Sequence, residues 1–286
     1  MLRVRGSITG VTTIGGTHAF VTGGSSGIGL ETARLLAARG ATVSLLARDQ
    51  SRLAVAEASI RESVAGATVG TVSADVRDGA AVRAAVAAAV AARGPVDIVA
   101  TAAGYARPGY FAELPDDAFR DQVDVDYFGT LHVVRATASD MVARGRGHIV
   151  MVASTAALIG VFGYSAYAPA KYAVRGLAET LRPELAPHGI VVACAYPPDT
   201  DTPGLAAENE HKPVETARLS AAIEPRTADA VARAVVRGIE RNRLVITADV
   251  QTAALARAAG LLGPYVRWSV DRTVRRARKD GGTFGP

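Results

Sequence analysis

HAFVTGGSSGIGLETARLLAARG (18–40) is the stretch whose reading decides the fold. It opens with a short apolar, β-branched run ending in glycine, which predicts a strand. ETARLLAARG then predicts an amphipathic helix up to Gly40. Between them, TGGSSGIG places Gly23, Gly27 and Gly29 in the spacing G-x-x-x-G-x-G. Glycines there permit a tight turn and let backbone N–H groups at a helix N-terminus approach a pyrophosphate. A glycine cluster alone also fits a plain strand–helix turn. Its position between strand and helix favours a dinucleotide cradle, with Gly23, Ser25, Ser26, Gly27, Ile28 and Gly29 as its contacts.

Outward from this turn, ATVSLLAR (41–48) predicts the second strand. In dinucleotide folds the end of this strand meets the adenosine ribose, where an acid favours a free 2′-hydroxyl and an arginine a 2′-phosphate. Here the strand runs into Arg48, with Asp49 one position on, which favours NADP(H) over NAD(H). A solvated cation at a helix start is the other reading of Arg48. Helices over 50–65 and 78–93 and strands over 67–73 and 95–104 continue the alternation. A long helical region, roughly 116–143, precedes the strand GHIVMVAS (147–154), and another helix runs to about Pro187. GIVVACAYPP (189–198) and RLVITA (243–248) complete about seven strands. The pattern predicts an α/β, three-layer Rossmann fold with a doubly wound parallel sheet. No linker divides the chain, so 1–286 reads as one domain: a core over about 16–250, a helical extension at 251–279 and a flexible tail at 280–286.

The strongest chemical signal lies in ASTAALIGVFGYSAYAPAKYAVRG (153–176), which holds Ser154, Tyr167 and Lys171. Four residues is about one helical turn, so Tyr167 and Lys171 share a face. A tyrosine hydroxyl has a pKa near 10, and moving it to about 7 takes roughly 4 kcal/mol. An ammonium about 4 Å away, at an effective dielectric of about 20, supplies energy of that order. The pair can therefore form a general acid/base, while Ser154 can bond a substrate oxygen as charge develops on it. Only three of the 32 basic residues are lysine (171, 212 and 279), and there are eight tyrosines. Chance placement would give roughly 0.1 such pairs. An ordinary helix pair with a snorkelling lysine is the alternative.

Cys194 is the sole cysteine, so no intrachain disulfide forms and a reducing, cytoplasmic setting is favoured. The five histidines show no HxxH or HExxH spacing, so no metal site is expected. MLRVRGSITGVTTIGG lacks the continuous apolar core of a signal peptide, and no run of 18 or more uncharged apolar residues predicts a spanning helix. No aromatic-interleaved basic face points to nucleic acid.

TGGSSGIG, Ser154, the Tyr167–Lys171 pair and the strand order resemble the short-chain dehydrogenases/reductases over roughly 16–250. The resemblance implies that Tyr167 protonates a carbonyl oxygen while hydride arrives from nicotinamide. Lys171 would lower the tyrosine pKa and bond the nicotinamide ribose, and Ser154 would hold the substrate oxygen. It also implies Asp75, with Val76, near the adenine. Where the family has an NAG motif the chain reads Thr101-Ala102-Ala103-Gly104, keeping Gly104 without the asparagine. VDVDYFGTL supplies Asp126 where the family has an asparagine that helps hold a proton-relay water. An acid there would stabilise the Lys171 ammonium. AYPPDTDTPGLAAEN (195–209) and FGYSAYAPAKYAVRGLAETLRPEL resemble the loop and active-site helix of the family's 3-ketodihydrosphingosine (3-ketosphinganine) reductases. This implies NADPH-dependent reduction of the C3 ketone of a long-chain sphingoid base. Pro197 and Thr202 would contact the nicotinamide. The proline-stiffened segment 197–226 is long enough to be a lid, or a loop packed on the sheet.

LLGPYVRWSVDRTVRRARK (261–279) sets Val266, Val270 and Val274 at i, i+4 and i+8, with Pro264 placed to start a helix. From Arg267 to Lys279 there are six positive charges and one negative. Such a basic amphipathic helix suits peripheral contact with an anionic membrane surface. Packing on the domain or on a dimer partner is the alternative. The resemblance further implies a homodimer or homotetramer. Two rival functions are the same chemistry on another bulky or acyl ketone, and a non-catalytic NADP(H)-binding redox-sensing module.

Overall fold

The computed structural model describes residues 11–221 and 223–279. From the N-terminus, β1 (His18–Thr22), α1 (Gly27–Ala38), β2 (Thr42–Ala47), α2 (Gln50–Ser63), β3 (Val69–Ser73), α3 (Gly79–Arg93) and β4 (Ile98–Thr101) alternate as expected. They are followed by α4 (Asp116–Val123), α5 (Gly129–Arg144), β5 (Gly147–Val152), α6 (Tyr167–Leu185) and β6 (Ile190–Ala195). The last part holds β7 (Thr200–Asp201), α7 (Pro203–Asn209), α8 (Val214–Ser220), β8 (Arg226–Thr227), α9 (Ala228–Glu240), β9 (Val245–Ile246) and α10 (Val250–Lys279).

Seven strands form one parallel sheet in the order β3-β2-β1-β4-β5-β6-β9. Every residue of β1 and β6 is buried, because helices cover both faces. Leu36, Leu53, Ile60 and Ile239 fill one side, brought by α1, α2 and α9. Val86, Val133, Met141 and Val174 fill the other, brought by α3, α5 and α6. The strand order reverses between β1 and β4, which opens a crevice at the carboxyl ends of the strands.

The structure departs from the sequence reading in four places. The helix expected over 116–143 is broken by a π-helical turn, Asp124–Phe128, in which the Gly129 N–H bonds the Asp124 carbonyl. The last strand shrinks to Val245–Ile246, which among the described residues pairs only with β6. The segment 197–226 is not an open loop, since α7 and α8 lie within it and β7 pairs β8. The C-terminal helix does not begin at Pro264 but runs continuously from Val250. Asp249 supplies the reason, accepting hydrogen bonds from Thr252 N and Thr252 Oγ1, both at 2.8 Å. The Val266 side chain and the tail over 280–286 lie outside the described residues.

His148, in β5, is buried with neither ring nitrogen bonded. Burial pushes its pKa down to about 3. The folded state therefore keeps the imidazole neutral, while the unfolded chain takes up a proton below about pH 6.5. Stability attributable to this group is present above about pH 6.5 and falls by about 1.4 kcal/mol per pH unit below it. Thermal melts at pH 7.5 and 5.0 should show that loss, and His148→Leu should reduce the difference between them; an equal loss in both proteins would refute the assignment.

Candidate active site

The glycine turn links β1 to α1 at the crevice. A Cβ on Gly29 would stand 2.3 Å from the Gly23 carbonyl oxygen, so the helix approaches the strand end too closely for any side chain. Gly23 itself has φ +65° and lies against the Ala102 backbone at the end of β4. Ser25 and Ser26 complete the turn, and Ile28 lines the cavity described below. Arg48 follows β2 and is exposed. Asp49 is occupied elsewhere: its carboxylate caps α2, accepting from Ser51 N at 2.8 Å and Arg52 N at 3.1 Å. After β3, Asp75 is held by Arg77, whose guanidinium bonds depress its pKa below the usual carboxylate range. Val76 is buried against Gly129 in the helical layer.

Three expected catalytic side chains meet across the crevice. Ser154 follows β5, and its Oγ accepts from Ala156 N at 3.1 Å, which leaves its hydroxyl hydrogen for another partner. Tyr167 opens α6, and Lys171 lies one turn on, with Nζ 5.6 Å from the tyrosine ring centre. Lys171 is 5% exposed and donates to the Val152 carbonyl at 3.3 Å. Asp126, 0% exposed, sits in the π-helical turn with Oδ1 3.3 Å from Lys171 Nζ. Gln122 Nε2 donates to its Oδ2, and Thr130 Oγ1 donates to its backbone carbonyl. A Cβ on Gly104 would come within 2.3 Å of Asp126 Oδ1 and 3.1 Å of Lys171 Nζ. The retained glycine is thus what admits this ion pair at the end of β4.

The expectation that Lys171 draws the Tyr167 pKa towards neutrality is not met. Burial pushes the phenol well above its usual range, the Asp126 charge pushes it further, and a hydrogen bond with Ser154 opposes both. Lys171, the expected source of a downward shift, faces the Asp126 carboxylate at 3.3 Å. Burial likewise raises the Asp126 pKa, against the pull of Lys171 and Gln122. The tyrosine is therefore held protonated, in the form that donates a proton to a carbonyl oxygen.

Gly104, Ser154, Tyr167, Lys171, Pro197 and Thr202 line one cavity of ≈ 660 Å³. Thr202 caps α7 by accepting from Leu205 N at 3.2 Å, and its Cγ2 packs where a Cβ on Gly27 would lie, 3.0 Å away. The segment after β6 thus lies close against the glycine turn. The sequence reading missed a charged cluster beside Tyr167, formed by Tyr164, Asp199, Glu208 and Lys212. Lysine scarcity, the signal that singled out Lys171, applied equally to Lys212.

A glycine turn at the switch point, with serine, tyrosine and lysine at the end of the same crevice, defines a nucleotide-dependent oxidoreductase acting on a carbonyl or its alcohol. Residues 17–213 match the short chain dehydrogenase family, and the chain belongs to it. It is similar to a 3-dehydrosphinganine reductase of Danio rerio, 40% identical over 227 residues, which covers 78% of this chain and 68% of that one. It is also similar to a 3-ketodihydrosphingosine reductase of Dictyostelium discoideum, 38% identical over 266 residues, covering 87% and 80%. Among solved structures, an actinorhodin polyketide ketoreductase variant with NADPH superposes with a TM-score of 0.75. It is 32% identical and covers 83% of this chain and 97% of that one.

Proposed function

We propose that this chain is an NADPH-dependent reductase that converts 3-ketodihydrosphingosine to dihydrosphingosine. The observation that carries the reading is the meeting of Ser154, Tyr167 and Lys171 on one cavity wall, continuous with apolar side chains such as Ile159, Leu219 and Leu255. Such a wall suits a long alkyl chain. The relatives' names supply the choice of ketone.

The residues present fit the cofactor. The glycine turn between β1 and the N-terminus of α1 would receive the pyrophosphate, and Arg48, exposed just after β2, would meet a 2′-phosphate. NADPH, when bound, supplies the hydride. Ser154 donates to the substrate carbonyl oxygen, and Tyr167 gives that oxygen its proton as negative charge develops. Lys171 would bond the nicotinamide ribose while holding positive charge beside the tyrosine, and Asp126, 3.3 Å from its Nζ, would fix the lysine. Arg48→Ala should raise KM for NADPH about 10-fold or more, with little change for NADH; equal effects on both would remove Arg48 from the phosphate site.

The deciding experiment follows NADPH absorbance with purified protein and 3-ketodihydrosphingosine in mixed micelles, beside NADH. NADPH-specific oxidation with dihydrosphingosine as product supports the reading. Binding of NADPH without turnover would move it to other bulky ketones.

We further infer a cytoplasmic enzyme that touches an anionic membrane surface and pairs with a second copy. Among the described residues no helix is long and apolar enough to cross a membrane. The outer side of α10 exposes Tyr265 and Trp268, with the Arg272 guanidinium 5.3 Å over the tryptophan ring, and Arg275 and Arg276 are exposed nearby. Co-sedimentation with phosphatidylserine vesicles that is unaffected by Trp268→Ala would exclude this surface. Phe128 and Tyr172 are exposed on the central helical layer where the second copy would sit; a monomeric mass by light scattering would refute the pairing.

A further inference from the structure

Much of the cavity wall is apolar, yet Asp199 and Glu208 both line it. Tyr164 links them to the chemistry. Its hydroxyl donates to Glu208 Oε1, and its ring centre lies 5.7 Å from that of Tyr167. Lys212, its side chain only 3% exposed, places Nζ 3.0 Å from Glu208 Oε1 and 3.7 Å from Asp199 Oδ2, and bonds Ser220 Oγ at 3.4 Å. The bonds shown to the Glu208 carboxylate, from Tyr164 and from Lys212, both fall on Oε1. One ammonium thus serves two carboxylates. Among the described lining residues acids outnumber bases: Glu224 and Asp249, the latter occupied with Thr252, join Asp199 and Glu208, against Lys171 and Arg226. Of those two cations, Lys171 is already paired with Asp126. A carboxylate on a largely apolar wall is costly unless a donor or cation completes it.

We propose that Glu208 and Asp199 receive the protonated amino group carried on the carbon next to the reacting carbonyl, so that the site selects α-amino ketones. The inference rests on the 3-ketodihydrosphingosine reading, because that substrate has its amine at C2, beside the C3 ketone. A group one bond from the carbonyl carbon must lie within a side chain's width of Ser154 and Tyr167. Tyr164, which bonds Glu208, has its ring centre 5.7 Å from that of Tyr167, and Glu208 lines the same cavity. A ketone without the amine would leave the two carboxylates sharing the single Lys212 ammonium on a largely apolar wall, and a site built around a polar contact discriminates against the analogue that lacks it.

The test compares 3-ketodihydrosphingosine with 1-hydroxyoctadecan-3-one, its analogue of equal length without the amine, in the wild-type enzyme with NADPH. The expected preference in kcat/KM is about 30-fold or more for the amino ketone. Glu208→Gln keeps an oxygen for Tyr164 and removes the charge, and should cut that ratio about tenfold; Asp199→Asn should cut it less. The wild-type comparison needs no variant, and a ratio taken within one protein is insensitive to partial misfolding. A wild-type preference under about threefold overturns the amine site while leaving the reductase reading intact. So does a ratio unchanged in both variants. Reduction of neither ketone overturns the reductase reading, and the amine site with it.

Discussion

Tyr167→Phe lowers kcat about 10³-fold while NADPH affinity stays within about threefold. The substitution removes only the hydroxyl, and a positioned general acid contributes roughly 10²–10⁴. The phenol occupies the first turn of α6, where burial and the Asp126 charge keep it protonated. The reduction direction therefore starts from the competent form across the neutral range, and kcat for reduction should stay flat between pH 6 and 8. The reverse reaction needs the phenolate and should rise with pH over that range. Stopped-flow reduction and equilibrium titration of NADPH separate the two quantities. Retention of more than a tenth of kcat, or a large loss of NADPH affinity, would assign the proton to another group.

The second large effect concerns the ion pair beneath the tyrosine. Lys171→Met leaves Asp126 fully buried, its carboxylate held by Gln122 and the Tyr105 backbone N–H but by no cation, and breaking a buried pair in this way costs about 3–5 kcal/mol. The cost has a sign in pH. Without the ammonium the folded-state pKa of Asp126 rises further above its unfolded value, so the destabilisation is small at low pH and grows as pH rises through the folded pKa. Removing both charges, as Lys171→Met with Asp126→Leu, should restore most of the stability while turnover remains lost. Thermal denaturation of the two singles and the double at pH 5 and 8 closes the cycle. If the Lys171→Met protein is as stable as wild type at both pH values, Asp126 carries no charge in the native state and the pair has no electrostatic content.

Local sequence was enough for the architecture. The strand, glycine turn and helix at 18–40 appear nearly where their patterning puts them, because a fully buried parallel strand must be a continuous apolar run and the turn after it has no room for a side chain at Gly23 or Gly29. Boundaries failed where local signals compete. The helix expected over 116–143 carries weak helix formers at VDVDYFGT, but nothing in them specifies a π turn; the Gly104 contact and the Asp126–Lys171 pair that accompany it join separate elements. Pro264 is an acceptable helix start, yet Asp249 caps the chain earlier and the helix continues.

The same division holds at the site. Ser154, Tyr167 and Lys171 were legible because their spacing within one strand–turn–helix unit sets their geometry, and because lysine is rare in this chain. The ionisation state of Tyr167 was not legible. Spacing along a helix gives the neighbour four residues on, whereas a pKa depends on every charge and on the water excluded from all sides. Asp126 reaches Lys171 from another helix, and Glu208 reaches Tyr164 from a segment 44 positions on. The sequence by itself determined which chemical groups this protein brings to its crevice; only the tertiary structure decided which charges stand against one another there, because electrostatic interaction follows distance through space and solvent exclusion rather than order along the chain.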